Sequence, residues 1–208
     1  TAWEDGTLSC DLGRAAERAS AASRRVATET GLAGAGRSVV AVGLDMAAAH
    51  LGRWEATRVL IVGTGAYAGA TVSALDALRA SDVSVYSTSG RAREFAEGRG
   101  IGWVDGTDLP TALTRADLVV TCRGLGSPIL TRDMAAASGH TVVLDLALMR
   151  DTDNSVGSLP NVTLIDLPTI QASVPAADAD ALNHARAIID EEVSSFERGL
   201  GARSMDPV

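Results

Sequence analysis

Residues 63–68 read Gly-Thr-Gly-Ala-Tyr-Ala, a spacing that can hold a pyrophosphate. Gly63 permits a tight exit from the apolar run 58–62, and Gly65 lets the backbone approach an anion. A helix opening at Ala66 then points its amide groups and positive dipole end at the same place. Ala68 takes the third position of the G-x-G-x-x-G/A fingerprint, where the demand is close helix–strand packing, and Gly69 beside it keeps that contact short. Thr64 and Tyr67 fill the variable positions. A turn that merely needs glycine would look similar in isolation. The strand before it and the helix after it favour a dinucleotide.

In this fingerprint an acidic residue about 20 positions on holds the ribose diol of NAD. Here Ser87, Thr88 and Ser89 stand in that place, with Arg91 and Arg93 just beyond. Hydroxyls and a guanidinium suit a 2′-phosphate, so the expected cofactor is NADPH. The alternative is that the hydroxyls cap the next helix and the arginines are solvated. Thr121, Cys122, Arg123 and Gly124 follow the fourth apolar run, where the nicotinamide end of a dinucleotide would lie. Cys122 invites a reading as a nucleophile whose pKa Arg123 lowers. No base is identifiable near it in sequence, and packing is the favoured role for a lone thiol.

His50, His140 and His184 are too scattered for a metal site, and two cysteines are too few for a disulfide framework. The 208 residues carry a formal charge of −8, which disfavours a broad nucleic-acid surface. Arg14, Arg18, Arg24 and Arg25 form one local basic concentration, read as a solvated helix face with RNA contact as the alternative. All 18 basic residues are arginine, so no lysine is present to act as base or proton relay. No run of about 18 apolar residues appears, and the start resembles no signal peptide. No membrane role and a cytoplasmic location are therefore expected.

These residues need elements to position them. Leu12, Ala15, Ala19, Ala22 and Val26 recur at helical spacing over 9–30, with Ser9 as a cap and Gly31 as a stop, and a second helix is expected over 38–50. Six short apolar runs follow, "RVLIV", "VSVYS", "IGWV", "DLVVT", "TVVLDL" and "VTLIDL", separated by helical stretches near 66–80, 90–98, 108–115 and 131–138. Residues 149–161 read as a loop, and a closing helix spans 178–198. This alternation predicts an α/β fold with a doubly wound parallel sheet of Rossmann type, in strand order 3-2-1-4-5-6, flanked by N- and C-terminal helices. The expected division is a helical segment 1–52, an NADP-binding domain 53–170 and a C-terminal helix and tail 171–208.

The strings "ASRRVATETGLAGAGRSVVAVGLDMAA", "VLIVGTGAYAGATV", "ADLVVTCRG", "VVLDLALMRDTD" and "LPNVTLIDL" together resemble the glutamyl-tRNA reductase family, especially its actinobacterial members. The likeness runs from about residue 6 to residue 198, with "LDLALMRDTD" and "LPNVTLIDL" far more specific than the glycine turn. It implies that residues from about 9 to 29 belong to a long spinal helix and 38–167 to the NADPH-binding domain. It also implies NADPH-dependent reduction of glutamyl-tRNA to glutamate 1-semialdehyde in tetrapyrrole biosynthesis, after a cysteine of an N-terminal domain has attacked the aminoacyl ester. No counterpart of that domain is expected in these residues, so the chain alone would be inactive, and Cys122 aligns with the fourth strand. A homodimer of the full-length protein and an aminomutase partner are further implications. Met149 and Asn154 fall in a segment where the family commonly has proline, and Thr88 stands where arginine is common. A non-catalytic, reductase-like nucleotide-binding module is the alternative. A shikimate-dehydrogenase-like enzyme meets the obstacle that its proton-transfer lysine has no counterpart here.

Overall fold

A computed structural model describes residues 10–30, 39–173 and 179–204. The chain divides into two compact units, residues 37–173 and a helical unit drawn from 1–36 and 174–208. In the larger unit β1 (Arg58–Val62), β2 (Asp82–Tyr86), β3 (Gly102–Trp103), β4 (Leu118–Thr121), β5 (Thr141–Asp145) and β6 (Val162–Asp166) form one sheet. The order is β3-β2-β1-β4-β5-β6 and every pairing is parallel. This is the doubly wound Rossmann arrangement that the alternation of runs predicts.

Side chains of a strand alternate between faces, and the core divides accordingly. Val59, Ile61, Val85, Leu118, Val120, Val142 and Leu144 turn to one face, under α2 (Val39–Ala48), α3 (Ala66–Ala77) and α4 (Ala92–Glu97). Leu60, Val62, Val119, Val143 and Val162 turn to the other, under α5 (Leu109–Arg115) and α6 (Arg132–Ala136). Burial on both faces explains why these runs are almost uninterrupted Val, Ile and Leu rather than alternating.

Three expectations change. Helix α2 belongs with the sheet and not with the N-terminal segment, because Val40, Leu44 and Ala47 are buried in the sheet core. Gly43 brings it so close that a Cβ there would lie 2.7 Å from Leu144 Cδ1. Residues Leu167–Ser173 form a helix, α7, where no element is expected between "VTLIDL" and the closing helix. Proline is tolerated in a helix's first turn, and the Asp166 carboxylate accepts the Thr169 N–H at 3.0 Å in the manner of a cap. Third, β3 is only two residues long and exposed. Arg93 lies over its Trp103 ring at 5.4 Å and donates to Glu97 at 2.8 Å.

The helical unit contains α1 (Cys10–Glu29) and α8 (Ala179–Ser204), longer than the expected 178–198. Glu192 accepts from Arg18 and from Arg25, each at 3.0 Å, and Glu191 accepts from Arg25 at 3.0 Å. Two of the four clustered arginines thus have carboxylate partners in α8. The apolar stripe of α1 is incomplete: Ala15, Ala22 and Val26 are half-buried, whereas Leu12 and Ala19 are exposed. Ser9 and Gly31, the expected cap and stop, lie outside the described residues. Among the described residues no helix is long and apolar enough to cross a membrane.

Candidate functional site

The strand order places three sequence-predicted segments side by side, at the carboxyl ends of β2, β1 and β4. In the centre, Gly63 adopts φ +131°, a conformation closed to most other residues, and donates its N–H to the Tyr86 carbonyl at 2.9 Å. A Cβ on Gly63 would meet Cys122 Sγ at 3.0 Å and the Cys122 carbonyl carbon at 3.2 Å. Gly65 caps α3 in an extended conformation, and the position of a Cβ on it has nothing within 4 Å among the described residues. Gly65, Ala66 and Tyr67 are exposed, Thr64 is half-buried, and Ala68 is buried in the core. An open cradle at the start of a 12-residue helix fits the pyrophosphate of a dinucleotide, whose charge the first-turn amides would meet. Ala68 serves the packing that the fingerprint asks of its third position.

On the β2 side, residues 87–90 form a turn, with Gly90 N–H donating to the Ser87 carbonyl at 3.3 Å. The Ser87 and Ser89 hydroxyls lie 2.9 Å apart, and Arg91 Nε donates to Ser89 Oγ at 3.0 Å. Thr88 is exposed on the same turn. Two hydroxyls and a guanidinium therefore form one exposed polar cluster, while Arg93 turns away to Glu97 and Trp103.

On the β4 side the structure speaks against the nucleophile alternative for the thiol. Cys122 donates its N–H to the Val62 carbonyl at 3.0 Å, continuing the ladder. Burial, together with the Asp151 and Asp145 carboxylates, pushes its thiol up to about 12. Arg123 gives no relief, because its guanidinium lies 3.4 Å from Asp151 Oδ1 and donates to the Ser127 carbonyl at 2.7 Å. A thiol so placed stays protonated near neutrality and is a poor nucleophile. Thr121 is fully buried, so its side chain is closed to a ligand, and Gly124 turns the chain with φ +64°.

Sequence reasoning missed the acidic residues behind this loop. Asp145 ends β5, and its carboxylate accepts N–H bonds from Ala147, Asp151 and Thr152 at 3.0, 3.1 and 3.0 Å. Asp151 in turn accepts from the N–H groups of Arg123 and Gly124 at 2.5 and 3.2 Å. Both aspartates are almost wholly buried. The signal lay in "LDLALMRDTD", where an acidic residue ends an all-apolar strand and another recurs six positions on. No group of three or more His, Cys, Asp and Glu suited to a metal occurs among the described residues.

The model of the shikimate / quinate 5-dehydrogenase family matches residues 45–173, nearly the whole sheet unit. The chain belongs to that family. Across its length it is a homologue of glutamyl-tRNA reductases. It is 44% identical to the enzyme from Clavibacter michiganensis over 97% of the chain, and 41% identical to that from Kocuria rhizophila over 99%. These alignments cover 48% and 47% of the relatives, so the chain spans about half their length. Among solved structures, glutamyl-tRNA reductase from Methanopyrus kandleri superposes with a TM-score of 0.60 at 24% identity, covering 94% of this chain and 52% of that one. The transhydrogenase from Sinorhizobium meliloti gives 0.58 at 19% identity over 76% of this chain and 54% of that one. Both likenesses establish the fold alone, the doubly wound Rossmann arrangement.

Proposed function

We propose that the chain is the NADPH-binding part of a glutamyl-tRNA reductase and supplies the reducing side of the conversion of glutamyl-tRNA to glutamate 1-semialdehyde. The near full-length homology to glutamyl-tRNA reductases carries this reading. The open cradle at Gly65 supports it physically.

The residues divide the work along the bound dinucleotide. Gly63, Thr64, Gly65, Ala66 and Tyr67 hold the pyrophosphate at the head of α3, with Ala68 packing that helix on the sheet. Ser87, Thr88, Ser89 and Arg91 take the 2′-phosphate, which selects NADPH over NADH. Cys122, Arg123 and Gly124 wall the nicotinamide side through their backbone, and Thr121 anchors that wall in the sheet. When bound there, the nicotinamide supplies a hydride. The acyl group that receives it is carried as a thioester on a cysteine outside these residues, since the buried Cys122 thiol is unsuited to attack an ester. Glutamyl-tRNA as substrate, a homodimeric full-length protein, an aminomutase as the acceptor of the aldehyde and a cytoplasmic setting complete the proposal.

Calorimetric titration of the chain with NADPH and NADH tests the cofactor. The expected outcome is NADPH binding with a preference of about tenfold or more, the size of one charge-assisted contact. Absence of any dinucleotide binding would rule out the redox role and leave a reductase-like module of another kind. Turnover is expected only when a cysteine-bearing domain is joined to the chain.

A further inference from the structure

The loop after β4 lies hard against the glycine turn at Gly63, and within residues 122–127 it is held by the Cys122 N–H to the Val62 carbonyl and the Arg123 guanidinium to the Ser127 carbonyl. Two of its residues, Gly124 and Gly126, adopt left-handed φ of 64° and 75°, and glycines lower the stiffness of a segment. Further restraint comes from the connection after β5. Asp151 holds the Arg123 and Gly124 amides through Oδ2, and its own carbonyl accepts the Ile129 and Leu130 N–H groups at 2.7 and 3.1 Å. Both ends of the β4 loop are therefore tied to one residue. Asp151 is itself placed by Asp145, which accepts the Asp151 and Thr152 amides.

This clamp is not a fully satisfied one. Asp151 Oδ1, Arg123 Nε, Thr121 Oγ1 and Thr152 Oγ1 are buried and make no hydrogen bond among the described residues. Asp151 Oδ1 keeps the Arg123 guanidinium at 3.4 Å as an ion-pair partner, but buried polar atoms that make no hydrogen bond are destabilising, and departures of this kind gather where function constrains the backbone.

We propose that Asp151 is a positioning residue of the dinucleotide site: by holding the Arg123 and Gly124 amides and drawing the Arg123 guanidinium to itself, it sets residues 122–127 as the wall beside the glycine turn. The consequence is a division within the site. The 2′-phosphate end, at Ser87 to Arg91, is independent of Asp151, whereas the nicotinamide end depends on it. The inference rests on the dinucleotide reading above.

Hydrogen exchange on the nucleotide-free chain tests the clamp alone. The Arg123 and Gly124 amides are expected to exchange as slowly as those of β4. Exchange at the rate of an open loop would overturn the proposal, whether or not any variant folds. The variant Asp151→Asn tests positioning, with thermal unfolding confirming a cooperative fold. NADPH affinity is expected to fall about tenfold or more while affinity for adenosine 2′,5′-bisphosphate, which lacks the nicotinamide half, changes less than about twofold. Equal losses for both ligands, or none for NADPH, would overturn the assignment. Cys122 gives a second readout, because the Asp151 and Asp145 carboxylates act on its thiol while the Arg123 guanidinium is turned to Asp151. Its alkylation should begin at lower pH in Asp151→Asn, and an unchanged alkylation profile would count against the clamp. Failure of the unmodified chain to bind either ligand would instead overturn the NADPH reading, with the exchange and alkylation results still deciding the clamp.

Discussion

Two loops meet at the carboxyl edge of the sheet and are held in different ways. The turn after β1 is fixed chiefly by its own residues, Gly63 at φ +131°, an extended Gly65 and a helix that begins at once, with one ladder bond from Gly63 to Tyr86. The loop after β4 is fixed from another strand connection, by carboxylates that accept its amide hydrogens. The first kind of restraint is local, and the second needs long-range packing to bring Asp145 and Asp151 within reach. A self-supporting turn survives damage elsewhere, whereas a clamped loop fails with its clamp.

The largest expected effect comes from removing the root of the clamp. Asp145→Ala leaves three buried amides without an acceptor, and at about 1–3 kcal/mol for each such group the loss reaches about 3 kcal/mol or more. Urea unfolding measures it. A change below about 1 kcal/mol would erase the contrast between the loops. Next is Gly63→Ala, which combines an unfavourable φ with a Cβ pressed onto Cys122, for about 1–3 kcal/mol by thermal unfolding.

A smaller effect should appear at the amino-terminal ends of the strands, remote from both loops. The Arg58 guanidinium donates to Asp117 at 2.7 and 3.0 Å and holds its carboxyl below the usual carboxylate range, with the Arg58 N–H assisting. A carboxyl depressed in the folded state contributes stability above its unfolded pKa and loses it as pH falls through the folded value. Asp117→Asn should therefore cost about 0.5–1 kcal/mol near pH 7, because the pair is partly exposed, and next to nothing once the pH has fallen below the depressed folded-state pKa of Asp117. Parallel unfolding curves at the two pH values check this. Smallest in stability is Gly65→Ala, within about 0.5 kcal/mol, since open space surrounds the new methyl group. Its NADPH affinity is nonetheless expected to drop at least tenfold, because the methyl group occupies the cradle. Calorimetry on a variant of unchanged melting temperature separates the two effects.

Legibility in the sequence follows the same division. Strands buried on both faces announce themselves as Val, Ile and Leu runs, and the glycine spacing marks the first turn, so the order of the sheet is readable in advance. Pro168 conceals α7 because its effect depends on whether it falls within a first turn or beyond it, which Asp166 decides. The alternative reading of Cys122 as a nucleophile, already less favoured than packing, fails for a related reason. Arg123 is adjacent in sequence, but its guanidinium turns to Asp151, so the nearest cation does nothing for the sulfur. Side-chain pairing across 28 positions carries no local signal.

The two-residue β3 has a consequence of another kind. A sheet edge with unpaired backbone groups invites another chain to add a strand, and long apolar edges are where soluble proteins begin to aggregate. Here the outer strand stops after Gly102 and Trp103, and a guanidinium lies over the indole. An incoming strand would find too short a template and a charge to desolvate. The truncation and Arg93 together act as a guard against edge-to-edge association, and Arg93→Val should shorten the lag before aggregation at elevated temperature.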